Sequence, residues 1–224
     1  MPSARPGGRD GVRPAALALL LAAAGVAPVT LVAASTFGVG LRGAALHVGA
    51  PAAAVVAVAA ALHRPAAALV GRAVVAGVAA TALYDLSRLA FLLTGVVERD
   101  PIPHIGVELG LDPPVVFGYL WRYLGNGTGL ALAFLALGLR GTAAGVAWGL
   151  AVCGGLLVTL AVSPHGQEVL LPLRPGTVVM AVTGHALFGA VVGARAGTTF
   201  AGRRRPARPP APTVRRAAVS GARP

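Results

Sequence analysis

Five polar side chains interrupt apolar stretches of this 224-residue sequence: Asp85, Arg88, Arg122, Asn126 and His185. Asp85 and Arg88 lie in ALYDLSRLAF (82–91), and Arg122 and Asn126 lie in GYLWRYLGNGTG (118–129). A carboxylate, two guanidiniums, an amide and an imidazole can form ion pairs, bind an anion or carry a proton. A charge in a hydrocarbon core costs about 2.5–3.5 kcal/mol on insertion scales, so each such residue is a functional-site hypothesis.

The composition places these residues in a membrane protein. The chain is 56% hydrophobic and only 12% charged, with a mean hydropathy of +0.76, whereas about a quarter of the residues of soluble domains are charged. The net charge of +12 does not indicate nucleic-acid binding, because seven of the nineteen arginines lie among prolines in the last 24 residues. Residues 199–224 are therefore predicted to be a disordered cytoplasmic tail that contacts anionic lipid head groups.

The apolar segments predict an all-α membrane bundle. Each is long enough to cross a hydrocarbon core as a helix and lacks the alternation of a barrel strand. A basic tail, 1–14, precedes a transmembrane domain, 15–198, and residues 66–72 are expected at the membrane surface. The six predicted helices are 15–34, 44–62, 73–97, 115–138, 142–162 and 177–198. The first segment also has features of a secretory signal sequence, and its cleavage would leave five helices.

The arginines predict the orientation, since cytoplasmic segments carry the excess of basic residues. With both termini inside, fourteen arginines lie on the cytoplasmic side, including the seven of the tail. Three lie outside: Arg42, Arg99 and Arg174. Arg88 and Arg122 are buried. We therefore expect both termini in the cytoplasm.

Stripes of small residues predict which helices pack closely. Gly141, Gly145, Gly149 and Cys153 recur at helical spacing in the fifth segment, and Gly189 and Gly193 follow His185 in the sixth. Small side chains let two helix backbones approach each other, which is a main source of helix association in lipid. The fifth and sixth helices are thus expected to use these faces for packing.

The polar side chains of three helices are predicted to share one layer. A rise of 1.5 Å per residue puts Asp85 about 18 Å along the third helix, with Arg88 on the same face one turn on. The same rise puts Arg122 and His185 each roughly 10 Å below the outer surface, with Asn126 one turn deeper than Arg122. We expect one polar cavity that opens outward.

Two outer loops are expected to roof this cavity, and they supply the loop candidates. Residues 98–112 contain His104 and Glu108, and residues 163–175 contain His165 and Glu168. Their i, i+4 and i, i+3 spacings would let each His and Glu share a zinc or iron ion if the loops are helical. This metal interpretation stays open, and no cofactor is assigned.

Three functions are compatible with the polar layer. One carboxylate facing two guanidiniums leaves a positive charge whose partner is a loop acid, a lipid head group or an anionic ligand. The leading hypothesis is a non-enzymatic protein that binds or passes a small anionic solute. The alternative is a scaffold subunit whose charges form a clasp or pair with another membrane protein. The third is a metal-dependent membrane enzyme. A homodimer would help to enclose a pathway.

Two resemblances bear on this choice. A WR pair at 121–122 and GHALFGAVVG at 184–193 resemble parts of rhomboid intramembrane proteases, which carry a nucleophilic Ser in Gly-x-Ser-Gly on the fourth helix. Here that helix has GNGTG (125–129) without a serine, so no protease and no catalytic residue is predicted. The overall layout resembles small multi-pass bacterial membrane proteins of unknown function, which implies a location in the bacterial cytoplasmic membrane and no particular activity.

Overall fold

The computed structural model describes residues 14–201, and this part of the chain is helical without strands. Most of it lies in six long helices, and two short ones lie in loops. In chain order they are α1 Pro14–Ser35, α2 Leu41–Leu62, α3 Arg64–Leu93, α4 Ile102–Glu108, α5 114–136, α6 Thr142–Val162, α7 Gly166–Val169 and α8 Pro175–Ala201. The predicted all-α architecture is confirmed for these residues.

Five of the helices in the described range are long and apolar enough to cross a membrane, namely α1, α2, α3, α6 and α8. The remaining predicted span, α5, is one continuous helix built from Pro114–Leu120, Trp121–Gly127 and Thr128–Ala136. Its centre carries the polar sequence WRYLGNG. A multi-pass membrane protein is thus supported, with five spans by length and composition and α5 as a sixth long helix.

The third helix differs most from its predicted bounds. Residues 66–72, expected at the membrane surface, belong to α3. The extended backbone of His63 separates α2 from α3, and the helix then runs without a break from Arg64. The helix ends at Leu93 rather than 97, because Gly95 has a φ of +73° and the Val97 N–H bonds back to the Phe91 carbonyl. Glycine is favoured at such helix ends because it lacks a Cβ.

The predicted tails lie outside the described residues. Residues 1–13 and 202–224 contain the basic N-terminal segment and the Arg/Pro-rich C-terminal segment. Helix α8 continues to Ala201, three residues beyond the predicted 198. The expected contact of the C-terminal tail with anionic lipids therefore stays a prediction.

The connections gather at two ends of the bundle. We call the "loop end" the end formed by residues 36–40, 94–113 and 163–174. There the Ser163 hydroxyl donates a hydrogen bond to the Thr36 carbonyl, and the Arg99 guanidinium donates one to the Glu168 carbonyl at 2.7 Å. The first bond joins the loop-end termini of α1 and α6, and the second joins the loop after α3 to α7.

Three apolar cores lie along the described part of the bundle, and the polar residues lie between the two largest. The core near the loop end includes Leu31, Ile105, Leu171 and Met180. The core of the other half includes Phe134 and, with it, small residues of α3 and side chains of α5 and α8. Since both cores are apolar, the polar layer between them has to satisfy its charges internally.

The predicted glycine stripes meet between α6 and α8. A Cβ placed on Gly189 would lie 2.0 Å from the Gly145 carbonyl oxygen, and one on Gly149 would lie 2.0 Å from the His185 carbonyl oxygen. The two backbones are therefore in direct contact, which confirms the packing expected from the stripes. This contact also fixes the height of His185 on α8.

Helix α5 is held in the centre of the bundle by similar contacts. Gly129 lies against Gly25 of α1, and Gly127 lies against Gly77 and Thr81 of α3. The segment Trp121–Gly127 is a π-helical turn, and the Thr128 hydroxyl donates a hydrogen bond to the Tyr123 carbonyl at 3.0 Å. Such widened turns occur often at functional sites. Here the turn carries Arg122 and Asn126.

We expect Gly189→Ala to destabilise the protein by about 1–3 kcal/mol, as for overpacking in a close-packed core. The added methyl group has to push α6 away from α8, since its neighbour is backbone. Gly197→Ala on the same helix is the matched control, because a Cβ there meets nothing within 4 Å. Unfolding of both variants in detergent or bicelles measures the difference. Equal stability of the two variants would contradict the close contact.

Candidate functional site

The central ion pair joins α3 to α5. Arg122 Nε donates to Asp85 Oδ1 at 2.6 Å, and Arg122 Nη2 lies 2.5 Å from the same oxygen. The side chains are only 14% and 12% exposed. The guanidinium also lies 4.5 Å from the centre of the Tyr84 ring, a cation–π geometry. Asp85 therefore holds Arg122 in a fixed orientation.

A second ion pair holds Arg88. Its Nη1 donates to Asp100 Oδ1, and its Nη2 donates to the Tyr119 hydroxyl at 3.0 Å. The Tyr119 hydroxyl in turn donates to Asp100 Oδ2 at 2.7 Å, and the Ile102 N–H donates to Asp100 Oδ1 at 3.0 Å. Asp85 Oδ1 lies 3.5 Å from Arg88 Nη2 and links the two pairs. The network thus connects α3, α5 and the start of α4.

Asp100 resolves the charge surplus expected from the sequence. Of the three possible partners for the second guanidinium, the structure supplies the loop acid. Burial alone would raise the pKa of the Asp100 carboxyl, but the Ile102 N–H, the Tyr119 hydroxyl and the Arg88 charge hold the pKa below its ordinary value of 3.8. The cluster therefore has two positive and two negative groups.

Beside this neutral network, six buried polar side-chain atoms have no hydrogen-bond partner within residues 14–201. They are Asp85 Oδ2, the indole nitrogens of Trp121 and Trp148, Thr81 Oγ1, Arg88 Nε and Asn126 Oδ1. Such atoms are uncommon, because leaving a buried donor or acceptor unpaired costs about 1–3 kcal/mol. Thr81, Arg88 and Asn126 line two neighbouring spaces of the interior: Arg88 the larger, Thr81 the smaller, and Asn126 both. They offer a hydroxyl, an N–H donor and a carbonyl acceptor.

His185 completes the polar lining from α8. Its Nδ1 lies 2.8 Å from the Ala181 carbonyl, which can only accept, so Nδ1 carries the proton. In the neutral ring Nε2 is then an acceptor. The ring stands edge-on to Tyr84, with ring centres 5.1 Å apart. The hydrogen bond and the aromatic contact together fix the direction of the imidazole.

These residues line a cavity of about 340 Å³ between the two largest apolar cores. Four of the five helix residues predicted from the sequence line it: Arg88, Arg122, Asn126 and His185. Asp85 does not, since it lies behind the two guanidiniums. A smaller space of about 70 Å³ beside Thr81 and Asn126 extends the cavity inward. Ligand cavities for small molecules begin at about this size.

The loop candidates lie away from the cavity. His104 and Glu108 form a half-exposed pair at 3.6 Å, and His165 and Glu168 form an exposed pair at 3.6 Å. The residues that cover the cavity at the loop end are instead buried and apolar. They are Pro101, Ile102, Ile105, Leu170 and Leu171. The loops of the loop end thus roof the cavity, but with a closed apolar surface.

The two His–Glu pairs do not extend to a metal centre in the described part of the chain. Within residues 14–201, no three His, Cys, Asp or Glu side chains are grouped so that they could hold a metal ion. Each pair therefore supplies two ligands where protein sites for zinc generally have three or four. The geometry gives the metal interpretation no further support.

Four residues of the site were not singled out by sequence reasoning: Asp100, Tyr84, Tyr119 and Thr81. Asp100 was one of several acids in a loop, and nothing in its spacing distinguished it from Glu98 or Asp112. The sequence contains a pattern that could have indicated the two tyrosines, because Tyr84 adjoins Asp85 and Tyr119 lies three residues before Arg122. Aromatic rings beside a buried guanidinium are frequent partners.

No protein-family model, curated protein or solved structure matches this chain. Only the geometry of the cavity and of its polar residues therefore bears on the function of this protein.

We expect Asp85→Asn to destabilise the protein by about 3–5 kcal/mol, because it leaves Arg122 buried without its carboxylate. The matched control is Glu98→Gln, since Glu98 and Arg174 form an ion pair at 2.8 Å whose side chains are 75% and 62% exposed. Exposed pairs contribute only about 0–1 kcal/mol. Chemical unfolding in detergent compares the two. Similar losses would contradict a buried, structure-determining pair.

The lowered pKa of Asp100 predicts how stability responds to acid. A carboxyl whose folded-state pKa lies below its unfolded value stabilises the fold fully above about pH 3.8, and this contribution is lost as the pH falls through the folded-state pKa. The difference in unfolding free energy between the wild type and Asp100→Asn should therefore be constant above pH 4 and shrink below it. A difference that shrinks between pH 7 and pH 5 would contradict the assignment.

Proposed function

We propose that this protein binds a small solute in the cavity between its two largest apolar cores. The observation that carries the proposal is a group of three buried polar atoms without partners, Thr81 Oγ1, Arg88 Nε and Asn126 Oδ1. Arg88 and Asn126 line a space large enough for a ligand, and Thr81 lines the smaller space beside it. A ligand with hydroxyl groups would supply partners for such atoms. The arginines are held in place by their carboxylates before any solute arrives.

The balance of charge favours a polar solute without net charge. The sequence argument for an anion depended on an unpaired guanidinium, and Asp100 now pairs with Arg88. An added anion would have to compete with Asp85 and Asp100 for the same donors. A hydroxyl or carbonyl oxygen can instead accept a hydrogen bond from Arg88 Nε, and a hydroxyl can also donate to Asn126 Oδ1 or His185 Nε2. We propose binding rather than catalysis, because these hydrogen bonds hold a ligand without a nucleophile or a general acid–base pair.

For the membrane arrangement we propose six spans with both termini in the cytoplasm of a bacterium. Helix α5 packs between α1 and α3 and is central to the bundle, which supports counting it as a span. Within the described residues, Arg64, Arg72, Arg140 and Arg195 lie at the end opposite the loop end, and Arg42, Arg99 and Arg174 lie at the loop end. The segments 1–13 and 202–224, which precede α1 and follow α8, add ten more arginines to the first group. This excess of arginine supports a cytoplasmic location for the end opposite the loop end.

The second candidate function is a subunit of a larger membrane complex. Helix α2 favours it, because only 6% of its apolar stretch is buried in this chain. A partner or a second copy could pack against such a helix, and the ion pairs of α3 and α5 would then serve only as a clasp. The two candidates differ in what the unpartnered atoms are for.

Asn126→Leu separates the two candidates. Since Asn126 Oδ1 has no partner, removing the amide should leave the melting temperature of the free protein unchanged or raise it. Under the binding proposal, decan-1-ol should stabilise the wild type saturably, and Asn126→Leu should weaken this effect at least tenfold in concentration. Thermal unfolding in lipid nanodiscs measures both quantities.

The head group is tested with decanoate and decylamine, which share the chain length of decan-1-ol. A stronger effect of decanoate would restore the anionic-solute hypothesis in place of the neutral one. Val158→Ala, at an exposed position of α6 outside the cavity, is the control for non-specific effects. If no probe stabilises the wild type, or if each probe stabilises the wild type, Val158→Ala and Asn126→Leu equally, the subunit interpretation replaces the binding one.

A further inference from the structure

Helices α1 and α6 form opposite walls of the cavity without packing against each other. Helix α6 packs against α8 and α7, whereas α1 packs against α2 and α5. The wall of α1 is Val29, Thr30, Val32 and Ala33, and that of α6 is 152, 155, 156 and 159. The back of the cavity is formed by α3, α5 and α8. A cleft between two membrane helices therefore leads to the polar site.

Both ends of this cleft are closed. At the loop end the Ser163 hydroxyl and the His165 N–H bond to the Thr36 carbonyl, directly joining the tops of α1 and α6. The buried apolar roof lies beside this bridge. At the other end the buried side chains of Leu130 and Phe188 line the inner space and form its floor. Phe134 packs against Trp148 in the same apolar core, with ring centres 6.3 Å apart. An opening toward either aqueous phase is therefore blocked.

The exposed residues of the lining show where the cleft opens to the outside of the bundle, and we call this opening the mouth. Of the residues that line the cavity, only Thr30 on α1 and Gly155 on α6 are exposed. A Cβ on Gly155 would meet nothing within 4 Å, so this side of the cleft is open. The mouth lies part-way along both helices, at a depth where the surroundings of a membrane protein are acyl chains.

The mouth presents an apolar surface despite its two threonines. The Thr30 hydroxyl donates to the Ala27 carbonyl at 2.8 Å, and the Thr159 hydroxyl donates to the Gly155 carbonyl at 2.9 Å. Both hydroxyls are thus satisfied within their own helices, as is common for Ser and Thr in membrane helices. The remaining contacts at the mouth come from methyl groups of Val29, Ala33 and other small side chains.

We infer that the ligand is a lipid with one apolar chain and a hydroxyl head, and that it reaches the cavity from the bilayer between α1 and α6. This inference rests on the proposed binding function and names its ligand class. The head lies at Asn126 and His185, and the chain runs outward past Thr30 and Gly155 into the membrane. A water-soluble solute would find no path, because the roof and the floor are closed.

The test uses a long-chain alcohol that carries a photoreactive diazirine and an alkyne, delivered in vesicles of a zwitterionic phospholipid. After irradiation, the labelled residues of the reconstituted full-length protein are mapped by mass spectrometry. We expect saturable labelling within 29–33 and 152–159. Gly155→Leu should reduce it at least fivefold, since the side chain fills the mouth. Gly154→Leu is the matched control, because Gly154 also has open space around it but does not line the cavity.

Each outcome decides between the inference and the binding function beneath it. Labelling lost in Asn126→Leu and Gly155→Leu but kept in Gly154→Leu supports both. Labelling lost in Asn126→Leu but kept in Gly155→Leu overturns the lateral route and leaves the binding site standing. Labelling that does not respond to Asn126→Leu, or that is not saturable, overturns the binding function and the inference with it.

A second variant covers the case in which Gly155→Leu does not fold. Cys153 is the only cysteine of the chain, so Gly155→Cys in a Cys153→Ala background gives one thiol at the mouth. N-ethylmaleimide added to the folded, reconstituted protein then fills the mouth after assembly. Labelling by the alcohol should fall on alkylation at position 155 and stay constant on alkylation of Gly154→Cys. Equal labelling before and after alkylation at 155 contradicts the lateral route.

Discussion

The structure depends on the neutrality of the charge network between its two largest apolar cores. Two guanidiniums and two carboxylates occupy a layer where an uncompensated charge would strongly destabilise the fold. Asp85 joins Arg122 and Arg88 across α3 and α5, and Asp100 completes the set from a loop. The loop that carries Asp100 is thereby held against the bundle, and its apolar neighbours, Ile102 among them, become the roof of the cavity. The charges thus determine where the roof lies.

Local patterns in the sequence were sufficient to predict the helices and the closest helix contact. Apolar length alone located the long helices, and the glycine spacing predicted how α6 meets α8, because a contact between small residues depends on few other features. The polar layer could also be predicted, since ionisable side chains such as Asp85, Arg88, Arg122 and His185 are rare inside membrane helices. Their depths followed from the helical rise.

The partner of Arg88 and the direction of the opening could not be predicted. Asp100 lies twelve residues from Arg88, in a loop with several other acids, and only the three-dimensional path of that loop selects it. The opening was expected toward the outside because the polar loop residues were counted as its lining. In the structure, the loop residues Pro101 and Leu170 face the cavity and are buried, whereas His104 and His165 of the same loops lie at the surface. Which side of a loop faces inward is a tertiary property.

Under the proposed binding function, the atoms of the polar layer serve either stability or recognition. The carboxylate-bound faces of the guanidiniums belong to the fold, because each is compensated within the protein. Arg88 Nε and the side chains of Asn126 and Thr81 are buried without compensation, although a leucine or valine in place of either uncharged residue would cost the fold little. A neutral network keeps the unpartnered atoms in position without filling the space before them. This separation is what a binding site needs, since a group that is already paired has little to offer a ligand.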